Sequence, residues 1–507
     1  MRALLLLVAA VAAVAAALGI GVRALETAHV AVDEEQYVLT AISLAEDGDL
    51  DITDELVGQR WRAFADVAPQ IETSVLADGT QISPHDPLLP LLLAGPVALG
   101  GWVGAKIALS LLAGAVAALT LWLAVRRFGV RARTAAIGVG IASASMPLAV
   151  YGQQIYPELP AALLTLLGVT ALTGPAPRNR ELVLLGVVVT ALPWLSIKYG
   201  LVAAVLSAVG AMRWRRAGRR REVVVAGTAL AMLGAVYLAV HKVVWGGWTS
   251  YASGDHFAQT GEFAVVGIDP NVAERALRLV GLLLDREFGL VPWQPAWLLL
   301  VPAAAAMLTA RSASGARIDT TRRISEARIT TALSTGGAHI DTTPVARAAL
   351  LWPLAAGWFV ATFVALTMHG YWSPGRQVVV VAPLAVLVTL RWLDGVGSAM
   401  RTTALGMGLA GVVGYGVVLV QGWLRQTTWV VHFVDADAPV YRLLRPVLTD
   451  WRGAYRPAHL AGLAVVVVLA ELGRRSAVGR ISAGRARRDP DPDPDPGSHR
   501  GRARTAG

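Results

Sequence analysis

The stretch Val32-Asp33-Glu34-Glu35-Gln36-Tyr37 lies just past the first apolar segment, residues 3–22, and opens the most acidic region of the chain. From Arg23 to Asp86 there are fourteen acidic residues against three arginines. This region contains no apolar run near the roughly 20 residues that cross a bilayer. It is therefore expected to form a large external loop, 23–86, with short interfacial helices.

The rest of the chain is apolar and basic. Its 507 residues are 55% hydrophobic and 16% charged, with a mean hydropathy of +0.54 and a formal net charge of +10. The repeated apolar runs predict an all-α polytopic membrane protein with about 12 transmembrane helices. Because the arginines cluster in short runs between apolar segments, as the positive-inside rule expects, nucleic-acid binding is not expected. The absence of cysteine excludes disulfides and cysteine metal sites.

The apolar runs also predict the order of the crossings. Residues 3–22 are expected to form an uncleaved first helix, with a cleaved signal peptide as the alternative. Residues 87–100 are interrupted by three prolines and are expected to be re-entrant or interfacial. Residues 271–284 have an amphipathic spacing typical of a helix along the membrane surface. The other crossings are predicted near 103–125, 134–150, 159–173, 182–196, 199–212, 223–242, 289–310, 348–368, 378–393, 402–420 and 457–473.

The connections between these crossings predict one membrane domain, 1–473. The polar stretch 311–347 is expected to be a disordered cytoplasmic insert, and residues 474–507 a disordered cytoplasmic tail. In this topology three charged side chains fall on the same side as the acidic loop: Glu158, Lys198 and Arg376. The protein is therefore expected to be a multi-pass protein of the plasma membrane with a site that faces outside.

Several short motifs follow one another along the chain: Asp33-Glu34-x-x-Tyr37 after the first helix, Tyr156-Pro157-Glu158 opening a helix, Lys198 between paired helices, Asp285-x-x-x-Gly289-Leu290 before a helix, and Gly375-Arg376 before Pro383. In this order they resemble landmarks of the C-type integral-membrane glycosyltransferases, the superfamily of protein O-mannosyltransferases and lipid A aminoarabinose transferases. The resemblance covers most of residues 1–400. It implies an enzyme that transfers a sugar, with inversion, from a polyprenyl-phosphate donor to an envelope glycan, glycolipid or protein.

The resemblance also implies a base in the first external loop. In this chain that role falls on Asp33, or on Glu34 if the register is shifted by one residue. A carboxylate suits the role, because the acceptor hydroxyl must lose its proton as it attacks the sugar. The leaving lipid phosphate needs a cation, for which Arg376 offers a bidentate fork and Lys198 a point charge. Three further side chains of the external segments are site candidates: Tyr37, Glu158 and His369.

Five of these residues also have a purely structural interpretation. The carboxylates of Asp33 and Glu34 fit a solvated loop, and Glu158 fits a helix cap. Lys198 fits a side chain that snorkels to the headgroups, and Arg376 fits an ordinary lipid-phosphate contact.

Two questions stay open at the level of the sequence. The spacing of His85, His256 and His369 matches no metal motif, so no metal ligands are predicted and a divalent metal is left as an open alternative. A secondary transporter or flippase is the main alternative function, and a non-catalytic scaffold is a third. The transferase hypothesis requires Asp33, Lys198 and Arg376 to meet at one place.

Overall fold

The computed structural model describes residues 1–70, 72–73, 75–76, 78–253, 271–315, 343–430, 435–451 and 455–486. In these ranges every named element is a helix or helical turn, and extended pairing is limited to isolated bridges. The predicted all-α class is confirmed. The predicted insert and tail lie partly outside these ranges, at 316–342 and 487–507, and so does His256.

The α-helices are, in chain order, α1 Arg2–Ala17, α2 Asp33–Glu46, α3 Thr53–Val57, α4 Leu88–Arg126, α5 Ala132–Ser143, α6 Leu148–Tyr151, α7 Glu158–Leu172, α8 Asn179–Leu195, α9 Gly200–Arg216, α10 Arg220–Val244, α11 Val272–Leu284, α12 Leu300–Gly315, α13 Pro344–Phe359, α14 Ala382–Leu393, α15 Ser398–Trp423, α16 Pro439–Leu444 and α17 His459–Ala486. Short 3₁₀ turns lie at Arg60–Ala63, Ile197–Tyr199, Ser250–Ser253, Pro295–Leu299 and Arg376–Val381, and a π-turn at Val360–Val364.

Six of the described helical segments are long and apolar enough to cross a membrane: Leu88–Arg126, Ile197–Arg216, Arg220–Val244, Pro344–Val364, Arg376–Leu393 and Ser398–Trp423. Three shorter apolar helices, Arg2–Ala17, Glu158–Leu172 and Pro295–Thr309, have 10–17 residues. A straight helix of that length falls short of the roughly 30 Å of hydrocarbon. The chain is thus a multi-pass helical protein, and the predicted twelve full-length crossings are not confirmed.

The proline-rich segment at 87–100 forms one arm of a helical hairpin. Helix α4 is broken at Gly100 and Gly101, and Gly101 has a φ of +58°. A Cβ at Gly104 would lie 2.2 Å from the carbonyl oxygen of Pro96, so the chain reverses and the two arms pack side by side. The first arm, 88–99, rises only about 18 Å and cannot cross a bilayer. This geometry agrees with the predicted re-entrant or interfacial piece.

Helix α2 is enclosed by the protein, although the acidic loop was expected to carry helices on the membrane surface. All residues from Glu34 to Ser43 are buried, and α2 packs against α4. Val38, Leu39, Ala41 and Ile42 are buried on all sides of the helix, while backbone N–H groups donate to the carboxylate of Glu34. The start of α2 is therefore held rigidly inside the molecule.

Two predicted disordered segments are helical where they are described. Helix α12 continues to Gly315 and α13 begins at Pro344, so the predicted insert is shorter at both ends. Helix α17 continues past 473 to Ala486, whereas the tail was expected to be disordered from 474. Its continuation has a local cause, because Arg474 and Arg475 both pair with Glu471 one turn earlier.

Candidate active site

Asp33 is the first residue of α2 and follows a strained backbone. Val32, immediately before it, has a φ of +55°, in the left-handed region that a β-branched residue rarely adopts. Such a conformation costs about 1–3 kcal/mol and persists only where its surroundings hold it. The Asp33 side chain is 17% exposed, so this strained turn presents a carboxylate that solvent reaches.

Arg376 joins Asp33 to Glu158. Its Nη2 lies 2.5 Å from Oδ2 of Asp33, and its Nε lies 3.1 Å from Oε1 of Glu158. Arg376 begins the turn Arg376–Val381 directly after Gly375, which has a φ of +85°. A Cβ at Gly375 would also lie 2.7 Å from Leu290, so a glycine is required to bring Arg376 to this position.

Lys198 completes a line of alternating charges. Its Nζ donates to Oε1 of Glu158 at 2.8 Å from the turn Ile197–Tyr199. The other Glu158 oxygen, Oε2, is buried without a hydrogen-bond partner in the described part of the chain. The four residues that sequence analysis placed on one side of the membrane therefore meet in one cluster, which we call the charge cluster: Asp33, Arg376, Glu158 and Lys198.

Aromatic rings enclose the Arg376 end of the charge cluster. The guanidinium lies 3.9 Å from the ring centre of Tyr156 and 5.2 Å from that of Trp372. The hydroxyl of Tyr151 donates to the carbonyl oxygen of Ser373 at 2.5 Å, which ties this loop to the segment before α7. Cation–π contacts are strengthened where water is excluded. The rings therefore help to fix Arg376 in place beside its two carboxylate partners.

The electrostatics of Asp33 follow from this pairing. Burial acts to raise the pKa of Asp33, but Arg376, His85 and Lys198 outweigh it and lower the pKa to about 2. Asp33 is therefore ionised at neutral pH. In the arrangement described, its proton affinity is too low for an efficient general base, whose pKa should lie near the working pH.

Glu72 and His85, which sequence analysis did not select, lie beside Asp33. One potential ligand atom from each of the three residues lies within 4.8 Å of the others. Burial and the charge of Asp33 raise the pKa of Glu72 to about 7, and burial lowers the pKa of His85. The Nε2 atom of His85 is buried without a hydrogen-bond partner in the described residues. Two carboxylates and a neutral imidazole with a free nitrogen fit a divalent cation.

Glu34 is anchored to the backbone. Its Oε1 accepts the N–H of Ile155 at 2.6 Å, its Oε2 accepts the N–H of Ala31 at 3.2 Å, and its side chain is fully buried. Lys106 lies 3.9 Å away and donates to the carbonyl of His29 and to Gln153. These contacts describe a residue that holds α2 in place, so Asp33 is the better placed of the two predicted bases.

The other two predicted candidates, Tyr37 and His369, lie in different parts of the structure. Tyr37 is buried next to the charge cluster, with its ring stacked 4.7 Å from that of His85. His369 belongs to a different group, because its Nε2 lies 3.4 Å from Asp285, whose carboxylate also accepts the N–H groups of Phe288 and Trp451. The described contacts of His369 thus stabilise the loops around α11.

Asp86 holds the turn that carries Lys198, and sequence analysis gave it no role. Its Oδ2 accepts the N–H of Ile197 at 3.1 Å. Its Oδ1 lies 2.9 Å from the hydroxyl of Tyr237 and 3.0 Å from Nε2 of His241. The His-Asp-Pro sequence that ends the acidic loop therefore contributes to the site twice, through His85 and through Asp86.

Comparisons with known proteins add little. No protein-family model and no curated protein matches the chain. Among solved structures, the chain is similar to the crystal structure of ArnT from Cupriavidus metallidurans bound to undecaprenyl phosphate, with a TM-score of 0.42 and 13% identity, over 94% of this chain and 78% of that one.

Proposed function

We propose that the chain is a membrane glycosyltransferase that moves a sugar from a polyprenyl-phosphate donor to a hydroxyl of a cell-envelope glycan, glycolipid or protein at the external face of the plasma membrane. The observation that supports this most is the contact between Asp33 and Arg376. Such a transfer needs a proton acceptor close to a cation that neutralises the leaving phosphate. Those two groups are 2.5 Å apart here.

The proposed reaction is a single displacement. The acceptor oxygen bonds to the anomeric carbon, and its proton passes to the carboxylate of Asp33. The bond between the anomeric carbon and the phosphate oxygen breaks, and that electron pair leaves with the lipid phosphate. Arg376 binds two phosphate oxygens and Lys198 a third, which stabilises the charge that develops on the leaving group. The configuration of the sugar is inverted.

Donor binding also explains how the pKa of Asp33 rises enough for Asp33 to accept a proton. Arg376 holds the pKa of Asp33 down to about 2 as long as the two are paired. A lipid phosphate competes with Asp33 for the same guanidinium. When the phosphate takes the Nη2 contact, Asp33 loses its closest counter-charge, its pKa rises and it becomes a better proton acceptor. The donor should therefore bind before the acceptor is deprotonated.

Glu72 is a second candidate for the proton acceptor. Its pKa of about 7 already suits a general base at neutral pH. Its side chain is 23% exposed and lies 3.8 Å from His85. In this variant of the mechanism, Asp33 positions Arg376 and Glu72 takes the proton, and Glu72→Gln, not Asp33→Asn, abolishes transfer.

An assay with purified full-length protein tests the proposal. The protein is reconstituted in vesicles with a panel of polyprenyl-phosphate sugars and an envelope extract as acceptor, and lipid products are followed by mass spectrometry. We expect one donor to release free polyprenyl phosphate in step with glycosylated acceptor, and Arg376→Ala to release none. A flippase would instead move intact donor across the bilayer without cleaving it, and that outcome would replace the proposal.

A further inference from the structure

A second site lies at the other end of the helical bundle. A cavity of about 400 Å³ opens between α5, α14, α15 and the turn Pro295–Leu299. Its walls are mainly apolar and include Ile137, Ile141, Trp297, Leu390, Leu393 and Leu405. Ile137 and Leu405 are 43% and 40% exposed, so the cavity is a groove that opens sideways between helices. We call it the lateral groove.

Arginines line one end of the lateral groove: Arg131, Arg133 and Arg401. Arg131 is paired with Asp394, Nε to Oδ1 at 2.6 Å. The side chains of Arg133 and Arg401 have no hydrogen bond or ion pair to any residue that the structure describes. Two uncompensated guanidinium groups beside an apolar groove form an amphipathic site with a positive end.

The lateral groove is remote from the charge cluster. Arg376 and Leu393 are the two ends of one 18-residue helical segment, Arg376–Leu393. With six residues in a 3₁₀ turn and the rest in an α-helix, this segment spans about 30 Å, the thickness of the hydrocarbon layer. The arginine end therefore lies near the opposite membrane face, which the distribution of basic residues in the sequence predicts to be cytoplasmic.

We propose that the lateral groove binds one anionic phospholipid from this leaflet, with its phosphate on Arg133 and Arg401 and an acyl chain along the apolar walls. The two arginines and the lipid headgroup are complementary in charge, and a guanidinium pairs with phosphate through two parallel hydrogen bonds. Basic pockets between transmembrane helices on the cytoplasmic side are suited to anionic headgroups. The side-chain amide of Gln294, which also lines the groove, is already engaged, because it donates to Ser145 and to the carbonyl of Gly408.

Native mass spectrometry of the full chain, delipidated in detergent and titrated with phosphatidylglycerol or phosphatidylcholine, tests this site. We expect one phosphatidylglycerol per chain to bind more tightly than phosphatidylcholine. The double variant Arg133→Gln, Arg401→Gln should bind phosphatidylglycerol about thirtyfold more weakly, since each of the two arginines near a membrane surface contributes about 1 kcal/mol. Arg391→Gln is the matched control, because Arg391 is exposed near the same end of α14 but does not line the groove.

A second variant tests the apolar part. Ala404 lines the lateral groove and is 8% exposed, so Ala404→Phe should fill the space and displace the acyl chain. A melting curve shows whether Ala404→Phe is folded. If Ala404→Phe is unfolded, the double glutamine variant still tests the site, because it changes only surface charges. Equal binding of the two lipids by the wild-type chain, or unchanged phosphatidylglycerol binding by the double variant, would overturn the proposal.

Discussion

Arg376 is the side chain that links the two functions required of the charge cluster. It contacts carboxylates on two different elements, Asp33 at the start of α2 and Glu158 at the start of α7. Only a planar group with several fixed donors spans both. A lysine at this position would keep the charge but reach one carboxylate at a time.

Arg376→Lys should therefore weaken donor use while the protein stays folded. We expect the KM for the polyprenyl-phosphate donor to rise about tenfold to a hundredfold, as expected for losing a hydrogen bond between charged groups. Steady-state transfer kinetics over a range of donor concentrations measure this KM. Arg62→Lys, a change at an exposed arginine of the acidic loop, is the control. An unaltered donor KM in Arg376→Lys would remove Arg376 from the phosphate site.

Sequence reasoning placed the four charged residues on one face of the membrane but could not show their pairing. Topology and charge patterns report which end of a helix a residue occupies, so Glu158, Lys198 and Arg376 could be grouped with the acidic loop. They do not report contacts between distant loops. That Asp33 is neutralised by Arg376, and that Glu72 and His85 come beside it, depends on how the loop 23–86 folds back on itself. The His-Asp-Pro sequence at 85–87 was the available signal.

The raised pKa values of Glu35 and Glu72 predict how the free energy of unfolding depends on pH. Burial, with the charges of Glu34 and Glu72, raises the pKa of Glu35 to about 8, and the pKa of Glu72 is about 7. Unfolded, both carboxyls titrate near 4.5. Between that value and their folded pKa, the folded chain binds more protons than the unfolded chain, so the free energy of unfolding falls as pH rises. Thermal melts should show Tm falling between about pH 4.5 and about pH 8.

Glu35→Gln isolates the contribution of Glu35, because a glutamine has no proton to lose. We expect its Tm to fall less than that of the wild-type chain across the same pH interval. Glu26→Gln, a change at an exposed acid of the same loop, should keep the wild-type slope. If Glu35→Gln and the wild-type chain lose Tm equally, burial of Glu35 is not the source of the dependence.

At the scale of elements, the hairpin in α4 determines where the acidic loop ends. It depends on Gly104, where any side chain would collide with the carbonyl of Pro96 at 2.2 Å. Gly104→Ala should lower the free energy of unfolding by about 1–3 kcal/mol, the usual cost of overpacking. Gly95→Ala in the first arm is the matched control, since a Cβ there would meet nothing within 4 Å. Denaturation in detergent measures the free energy of unfolding of both variants, and equal values would argue against the hairpin.

The sequence predicted most helices but not their true lengths. Apolar runs such as 223–242 and 402–420 lie within α10 and α15, because hydropathy directly reports a lipid-facing helix. The first helix ends at Ala17, before the predicted 22, since Gly19 and Gly21 lie against Trp429 and Trp423. Local hydropathy does not report such tertiary contacts. The three prolines indicated an interruption in α4. The side-by-side packing of its two arms depends on tertiary contacts, so it could not be predicted from the sequence.

The two ends of the helical bundle should face opposite sides of the membrane. The charge cluster should face outside, and the connection between α9 and α10, with its run of arginines, should face the cytoplasm. The chain has no cysteine, so single cysteines report orientation without background.

Tyr371 is 63% exposed and precedes Trp372, which contacts Arg376, so Tyr371→Cys should react with a membrane-impermeant maleimide in intact cells. A cysteine at Ala217, exposed between α9 and α10, should react only after permeabilisation. The opposite labelling pattern would place the charge cluster in the cytoplasm and contradict transfer at the external face.

The single-turnover rate of sugar transfer, with donor bound at saturation, tests whether Asp33 is the proton acceptor. The wild-type chain is compared with Asp33→Asn and Glu34→Gln. Asp33→Asn should slow transfer by about 10²–10⁴-fold, the usual contribution of a general base, while donor still binds. Glu34→Gln should act mainly on stability, because both oxygens of Glu34 are engaged by backbone N–H groups. A wild-type rate in Asp33→Asn would contradict the account.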